Sequence, residues 1–246
     1  MGRRGGGKNR DLNPAIDGIL LVDKPSGKTS HDLVDIIRRH FKLQKVGHGG
    51  TLDPMATGLL VMLLGRGTKC SRQVMNGGKV YEGCIRFGIS TDSHDKDGQV
   101  VQERNPAGIS REHVEAEMTQ WIGEIEQIPP MVSAIKKNGQ PLYKLARKGQ
   151  TIEREPRPVT IHRFELLDFN HPEARIVLGC SKGTYVRTLA HDIGEALGVG
   201  AHLCELRRTH SGTYDVAEAL DIETLEQLDY EGLQAYVLPL PPPPSA

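Results

Sequence analysis

Asp53 stands in the stretch KVGHGGTLDPMATG, residues 45 to 58, where four glycines, one histidine and an Asp-Pro pair share fourteen positions beside an apolar run. Pro54 fixes the φ angle that follows and biases Asp53 toward extended backbone. Gly49 and Gly50 carry no side chain to hold a bulky ligand away from the chain. A carboxylate held rigidly beside open space suits nucleophilic attack or proton transfer. An Asp in a Gly-rich corner also commonly accepts hydrogen bonds from nearby backbone N–H groups, so a turn residue is the competing reading.

Other chemistry is weakened by spacing. The chain contains no G-x-x-x-x-G-K-[ST], G-x-S-x-G or H-E-x-x-H, and no G-x-G-x-x-G between a strand and a helix. SHDKDG at 93 to 98 resembles part of a calcium loop, but Ser93 and Arg104 stand where a first carboxylate and a bidentate Glu are needed, so an Asp-rich turn held by its own side chains is expected. His-Asp pairs at 31/32, 94/95 and 191/192 suggest a metal-dependent phosphohydrolase as the alternative enzyme. That class builds its site in a helical bundle, whereas this chain is rich in strands, and helix starts or turns account for the pairs. No metal and no cofactor is expected.

The elements that must position Asp53 follow from periodicity. GILLVDK (18 to 24) reads as a strand, and a helix begins near Ser30 with Leu33, Ile36 and Ile37 on one face. The Gly-rich loop comes next, followed by the apolar strand GLLVMLLG. KVYEGCIRFG (79 to 88) alternates as a strand, and Ser110 caps a helix running to about Trp121. Short strands surround IPPMVSAIKKNG, a short helix is expected in PLYKLARKG, and strand-like runs cover 158 to 169 and 174 to 181. SKGTYVRTLAHDIGEALG (181 to 198) opens with a turn and continues as a helix ended by Gly198. A further strand lies in LCELRRTHSGTYDV, and a helix near 218 to 229 closes the body. Strands and helices mix without regular alternation, which predicts an α+β fold.

Length and composition bound the rest. The 246 residues suit one catalytic domain, expected over 14 to 238, after a flexible basic arm at 1 to 13 and before a Pro-rich tail at 239 to 246 with nothing to pack. The longest apolar run is far shorter than the roughly 20 residues of a membrane span, and the N-terminus has no signal core, so a soluble, cytoplasmic protein is expected. Four widely spaced cysteines, with no C-x-x-C pair, read as buried thiols. Net charge is zero, but residues 136 to 163 carry eight Lys or Arg against two Glu, while 215 to 246 carry seven Asp or Glu and no Lys or Arg. The insertion at 130 to 157, rich in Pro, Gly and basic residues, can track a phosphate backbone or be a solvated loop.

Seven separated stretches, VDKPSGKTSHDLV, KVGHGGTLDPMATGLL, GRGTK, KVYEGCIRFGISTDSHDKDG, PPMVSAIKKNGQPLYKLARKG, CSKGTYVRTLAHDIGEALG and GAHLCELRRTHSG, occur in the order seen in the TruB family of tRNA pseudouridine-55 synthases, which the chain resembles from about residue 17 to 214. The resemblance implies the pseudouridine synthase fold, a mixed, largely antiparallel central sheet flanked by helices. It also implies isomerisation of a flipped-out uridine in the T-loop of tRNA, with no redox step. Asp53 falls on the family's catalytic aspartate, acting at C1′, at C6 or on the C2′ hydrogen. Arg187 matches the arginine paired with it, a cation expected to hold the Asp53 pKa low. Tyr81 matches the tyrosine against the target base. Tyr185 and Leu206 match residues lining the uridine pocket, His48 a histidine near the emptied space in the T-loop, and Lys24 and Pro25 a supporting motif.

The insertion corresponds to the segment that grips the T-stem and loop. The resemblance also leads to the expectation that a C-terminal PUA-type domain is absent. A monomer is the default. A module that grips and remodels tRNA without modifying it is the alternative of another class, and it would not need Asp53, Tyr81 and Arg187 together.

Overall fold

A computed structural model describes residues 12–133, 136–137, 139–142, 149–150 and 152–242. In chain order the elements are strand β1 (Gly18–Lys24), helix α1 (Ser30–His40), strands β2 (Val46–His48) and β3 (Thr57–Leu64), a 3-10 turn at Gly65–Cys70, and helix α2 (Ser71–Asn76). Strands β4 (Lys79–Phe87), β5 (Ile89–Thr91) and β6 (Val100–Glu103) follow, then helix α3 (Arg111–Gln120) and strand β7 (Gly123–Gln127). A small hairpin of β8 (Lys136–Lys137) and β9 (Gln140–Pro141) precedes the long strands β10 (Arg157–Asn170) and β11 (Glu173–Cys180). Helix α4 (Val186–Ala196), strands β12 (Ala201–Ser211) and β13 (Tyr214–Asp215), and helices α5 (Ile222–Gln227) and α6 (Tyr230–Gln234) complete the chain.

The main sheet runs β1-β3-β12-β4-β11-β10-β7, with β2 and β13 added beside β3 and β12. All its pairings are antiparallel except β3 with β12. The expected mixed, largely antiparallel sheet is the one observed. β1 and β3 are continuously apolar because both their faces are covered. Leu20, Val22, Leu60 and Met62 enter the large core beneath α1 and α4, while Ile19, Leu21, Leu59 and Val61 pack with Val74 of α2 on the other side. β4 alternates instead: Lys79, Tyr81, Ile85 and Phe87 are buried, and Glu82 and Arg86 face solvent.

The parallel β3/β12 junction requires a glycine. Gly58 has φ +95°, and a Cβ there would lie 2.3 Å from the Arg208 carbonyl oxygen. Without that close approach, β12 could not bring Leu206 and Arg208 beside the strand that leaves the Asp53 loop.

Three expectations change. The helix near 218 to 229 is a 3-10 turn at Val216–Glu218 followed by α5 and α6, because Asp221 and Asp229 each cap a new helix through Thr224 N–H and Gly232 N–H. The tail does find something to pack against as far as it is described: Leu240 lies against Gly67, and the Pro242 carbonyl accepts from Gln73 Nε2 at 2.7 Å. Asn13 is pinned to the C-terminus of α1 through Phe41 O and Lys42 O, so the body begins there. Residues 1 to 11 of the expected arm, 243 to 246 of the tail, and most of the helix expected in PLYKLARKG lie outside the described residues.

Candidate active site

The loop from Gly50 to Met55 has an acceptor role at every backbone carbonyl. Arg208 donates to Gly50 O and Thr51 O, Ser30 Oγ to Leu52 O, Ala56 N–H to Asp53 O, Lys24 Nζ and Gly27 N–H to Pro54 O, and Ser26 Oγ to Met55 O. A loop so fastened holds one conformation. Lys24 is fully buried and spends its ammonium on three carbonyls, those of Pro25, Lys28 and Pro54, at 2.7 to 3.2 Å. Burial lowers its pKa to about 8. Lys24 and Pro25 therefore form a support under the turn, outside the cleft that Asp53 faces.

That cleft, about 330 Å³, is lined by Asp53, Tyr81, Tyr185, Arg187 and Leu206 together with Gly50, Lys79, Ser133, Lys182 and Arg208. Five of the sequence-derived site residues thus meet at one place. They come from the loop after β2, from β4, from the start of α4 and from β12. Arg187 belongs to the first turn of α4 but is only 3% exposed. Its Nε lies 3.1 Å from Asp53 Oδ2, and its Nη2 donates to Asp53 Oδ1 at 3.3 Å. One hydrogen bond and one close charge contact thus face the two carboxylate oxygens, an arrangement that uses the planar spread of the guanidinium.

The other edge of the guanidinium was not anticipated. Nη1 donates to Asp95 Oδ2 at 3.4 Å and to Ser93 O at 3.3 Å, while Nη2 also reaches Val132 O. Asp95 is 4% exposed, and its second oxygen accepts from Ser93 Oγ at 2.6 Å and Asp97 N–H at 3.1 Å. The Asp-rich turn is held by its own side chains as expected, and in addition it delivers a buried carboxylate to Arg187. An Asp inside SHDKDG carries no local mark of that partner.

The Asp53 pKa departs from expectation. Arg187 does pull it down, but burial pushes it up more strongly and Asp95 adds to the rise, so the net direction is upward. One cation serves two carboxylates. Burial likewise raises the phenols of Tyr81 and Tyr185, keeping both protonated near neutrality.

Tyr185 caps α4 without a side-chain cap of its own. Gln127, 3% exposed on β7, replaces it: its Oε1 accepts from Tyr185 N–H at 2.8 Å, and its Nε2 donates to Tyr185 O at 3.0 Å. His48 lies on β2, half-buried beside the loop and not on the cleft wall. Burial and the charge of Arg208 lower its pKa, so it is neutral near pH 7. Gly49 serves packing and not a ligand, since a Cβ there would strike Val74 Cγ1 at 2.4 Å. Gly50 does line the cleft.

Two of the three His-Asp pairs converge, with the His94 and His191 rings stacked at 4.0 Å. Asp95 is committed to Arg187, and among the described residues no group of three His, Cys, Asp or Glu is placed to hold a metal.

Comparison with known proteins gives one consistent result. Residues 38–186 match the family model described as TruB family pseudouridylate synthase (N terminal domain), and 187–241 match tRNA pseudouridylate synthase B C-terminal domain. The two models meet inside α4, whose helix runs through the boundary. The chain is 48% identical over 217 residues to tRNA pseudouridine synthase B of Stutzerimonas stutzeri, covering 88% of this chain and 71% of that one. It is 46% identical over 225 residues to the Opitutus terrae protein of the same name, covering 92% and 93%. Among solved structures, a Cbf5-Nop10-Gar1 complex contains a chain with TM-score 0.71 and 28% identity, over 95% of this chain and 67% of that one.

Proposed function

The chain belongs to the TruB family of pseudouridylate synthases, and from that membership together with the Asp53 cleft we infer how it works. It isomerises uridine in tRNA to pseudouridine. The C1′–N1 bond breaks, the base turns over, C1′ bonds to C5, and the C5 proton leaves to be replaced at N1. Atoms balance with no oxidant and no phosphate transfer. The target on this reading is position 55 in the T-loop, as the resemblance of the separated motifs implies.

The observation that carries the assignment is the Asp53–Arg187 pair at the bottom of a cleft with aromatic and aliphatic walls. A flipped pyrimidine needs such walls once it leaves its stack, and Tyr81, Tyr185 and Leu206 provide them. Asp53 is the catalytic carboxylate. Its side chain is one-third exposed, into the cleft, while Arg187 holds both its oxygens in orientation. Attack at C1′, attack at C6 and removal of the C2′ hydrogen all use the ionised form. Tyr81, protonated, lies against the base and is placed to pass a proton.

Flipping a base out of the T-loop requires opening it. His48, neutral and beside the Gly-rich loop, fits the space the uridine leaves. The basic insertion at 130 to 157 supplies phosphate contacts that position the RNA, and the pocket selects the base. On this reading the protein acts as a monomer, with a cytoplasmic site of action that suits the tRNA substrate.

The test is tritium release from tRNA labelled at C5 of uridine, by the native protein and by Asp53→Asn, with tRNA binding measured alongside. Release by the native protein alone, mapping to position 55, is expected. Turnover by Asp53→Asn would remove Asp53 from its role.

A further inference from the structure

Charge is unevenly matched over the cleft lining. A single cation, Arg187, meets two carboxylates, Asp53 and Asp95. Lys79, Lys182 and Arg208 also line the cleft, and none of them forms an ion pair with a carboxylate among the described residues. Their hydrogen bonds go to neutral acceptors. Lys79 Nζ donates to Met75 O and Gly77 O, Lys182 Nζ to Asn76 Oδ1 at 2.6 Å, and Arg208 to the carbonyls of Gly50, Thr51 and Leu59.

Holding Lys79 and Arg208, both buried, near a third cation without a counter-charge costs free energy. Lys79 registers it. The side chain is 7% exposed, and its pKa falls to about 8, first through burial and then through repulsion by Arg208 and Lys182. Near neutrality it remains mostly protonated, and an anion would complete the site.

Position identifies the anion. Lys79 and Tyr81 are two residues apart on β4 and point to the same face, a spacing of about 6.6 Å along the strand. That is comparable with the span from a nucleobase to the phosphodiester beside its own ribose. With the base against Tyr81 and the sugar toward Asp53, the linkage falls near Lys79. The Lys182–Asn76 bond ties the end of α2 to the turn before α4.

We propose that the basic part of the cleft lining is a phosphodiester site, in which Lys79 and Lys182 hold the phosphate adjoining the flipped-out uridine and Arg208 backs them with its charge. The site sets how deeply the ribose enters toward Asp53. It rests on the reading of this cleft as the uridine site, and it is separate from the insertion, which attracts the RNA as a whole.

The experiment uses tRNA assembled with one neutral methylphosphonate linkage, either 5′ or 3′ of the target uridine or at a remote control position. Values of kcat/KM from C5 tritium release are compared for the native protein, Lys79→Gln and Lys182→Gln. Lys182→Gln keeps the test open if loss of the Lys79 bonds to Met75 and Gly77 unfolds the protein. With native protein, one of the two flanking neutral linkages is expected to lower kcat/KM roughly tenfold to hundredfold, the range of a charged hydrogen bond, while the remote one does not. Each lysine variant loses a similar factor on ordinary tRNA, shows a salt slope shallower by about 0.7, and loses little more on the neutral linkage. Losses that multiply, so that the variants are as sensitive to the neutral linkage as the native protein, would overturn the site while native turnover of ordinary tRNA left the uridine reading standing. No release from ordinary tRNA by the native protein would overturn both.

Discussion

Asp53 and Asp95 share one guanidinium: Arg187 Nε is 3.1 Å from Asp53 Oδ2, and its Nη1 is 3.4 Å from Asp95 Oδ2. The three groups carry a net negative charge in a partly dry cleft. The second carboxylate thus does two opposed things. It fixes the cation that orients Asp53, and it makes Asp53 harder to ionise.

Asp95→Asn separates these effects. Removing a negative neighbour favours ionised Asp53, so the acid limb of the kcat/KM profile is expected at lower pH than in the native protein. Arg187 is held less firmly, and the plateau falls by roughly tenfold or more, the loss of one charged hydrogen bond. The measurement is a pair of pH profiles; an unmoved acid limb contradicts the shared guanidinium.

Asp53→Asn should abolish turnover and leave tRNA binding nearly intact. A carboxyl whose folded pKa is raised binds its proton more readily folded than unfolded, so its ionisation costs stability as pH rises from the ordinary value through the raised one. Below the ordinary value the cost is absent. The variant, whose Arg187 keeps Asp95 as partner, is therefore expected to melt above the native protein at neutral pH, and the gap closes as pH falls below the ordinary carboxylate range.

Gln127→Glu tests the pair of hydrogen bonds to Tyr185. A carboxylate still accepts from Tyr185 N–H but faces Tyr185 O with no donor. Release of the Tyr185 peptide loosens one wall of the pocket, and kcat/KM is expected to drop about tenfold. Gln127→Ala leaves both Tyr185 backbone groups without their amide partner. Its thermal melting and its kcat and KM, measured separately, distinguish a lost wall from general unfolding.

Lys24→Met fills the same space without a donor. Three carbonyls then lose a charged partner, and destabilisation of about 2 to 3 kcal/mol is expected from denaturant titration. The Pro54 carbonyl then keeps only its bond from Gly27 N–H. A variant as stable as the native protein would mean that the turn does not depend on Lys24.

Local pattern carried much of this architecture. Alternation marked β4, the β10 and β11 runs were legible to within two residues, and Thr29 with Asp32 closes α1 in a capping box that the polar KTSHD start allows. The final helix was misjudged because Asp221 and Asp229, two caps eight residues apart, restart the helix where an unbroken run was expected.

By itself the sequence determined that Asp53 sits in a Gly-rich loop before a proline and, through motifs in register, which family the chain belongs to, because residue order is a property of the chain alone. The Arg187 partner was already implied by the resemblance, and tertiary structure alone decided which groups stand behind that pair. Asp95 meets Arg187 across 92 residues, and Gln127 meets Tyr185 across 58, through the packing of the β5–β6 turn and β7 against the start of α4. Whether a polar side chain is a solvated surface group or a buried partner depends on what the fold brings opposite it, and no spacing along the chain specifies that.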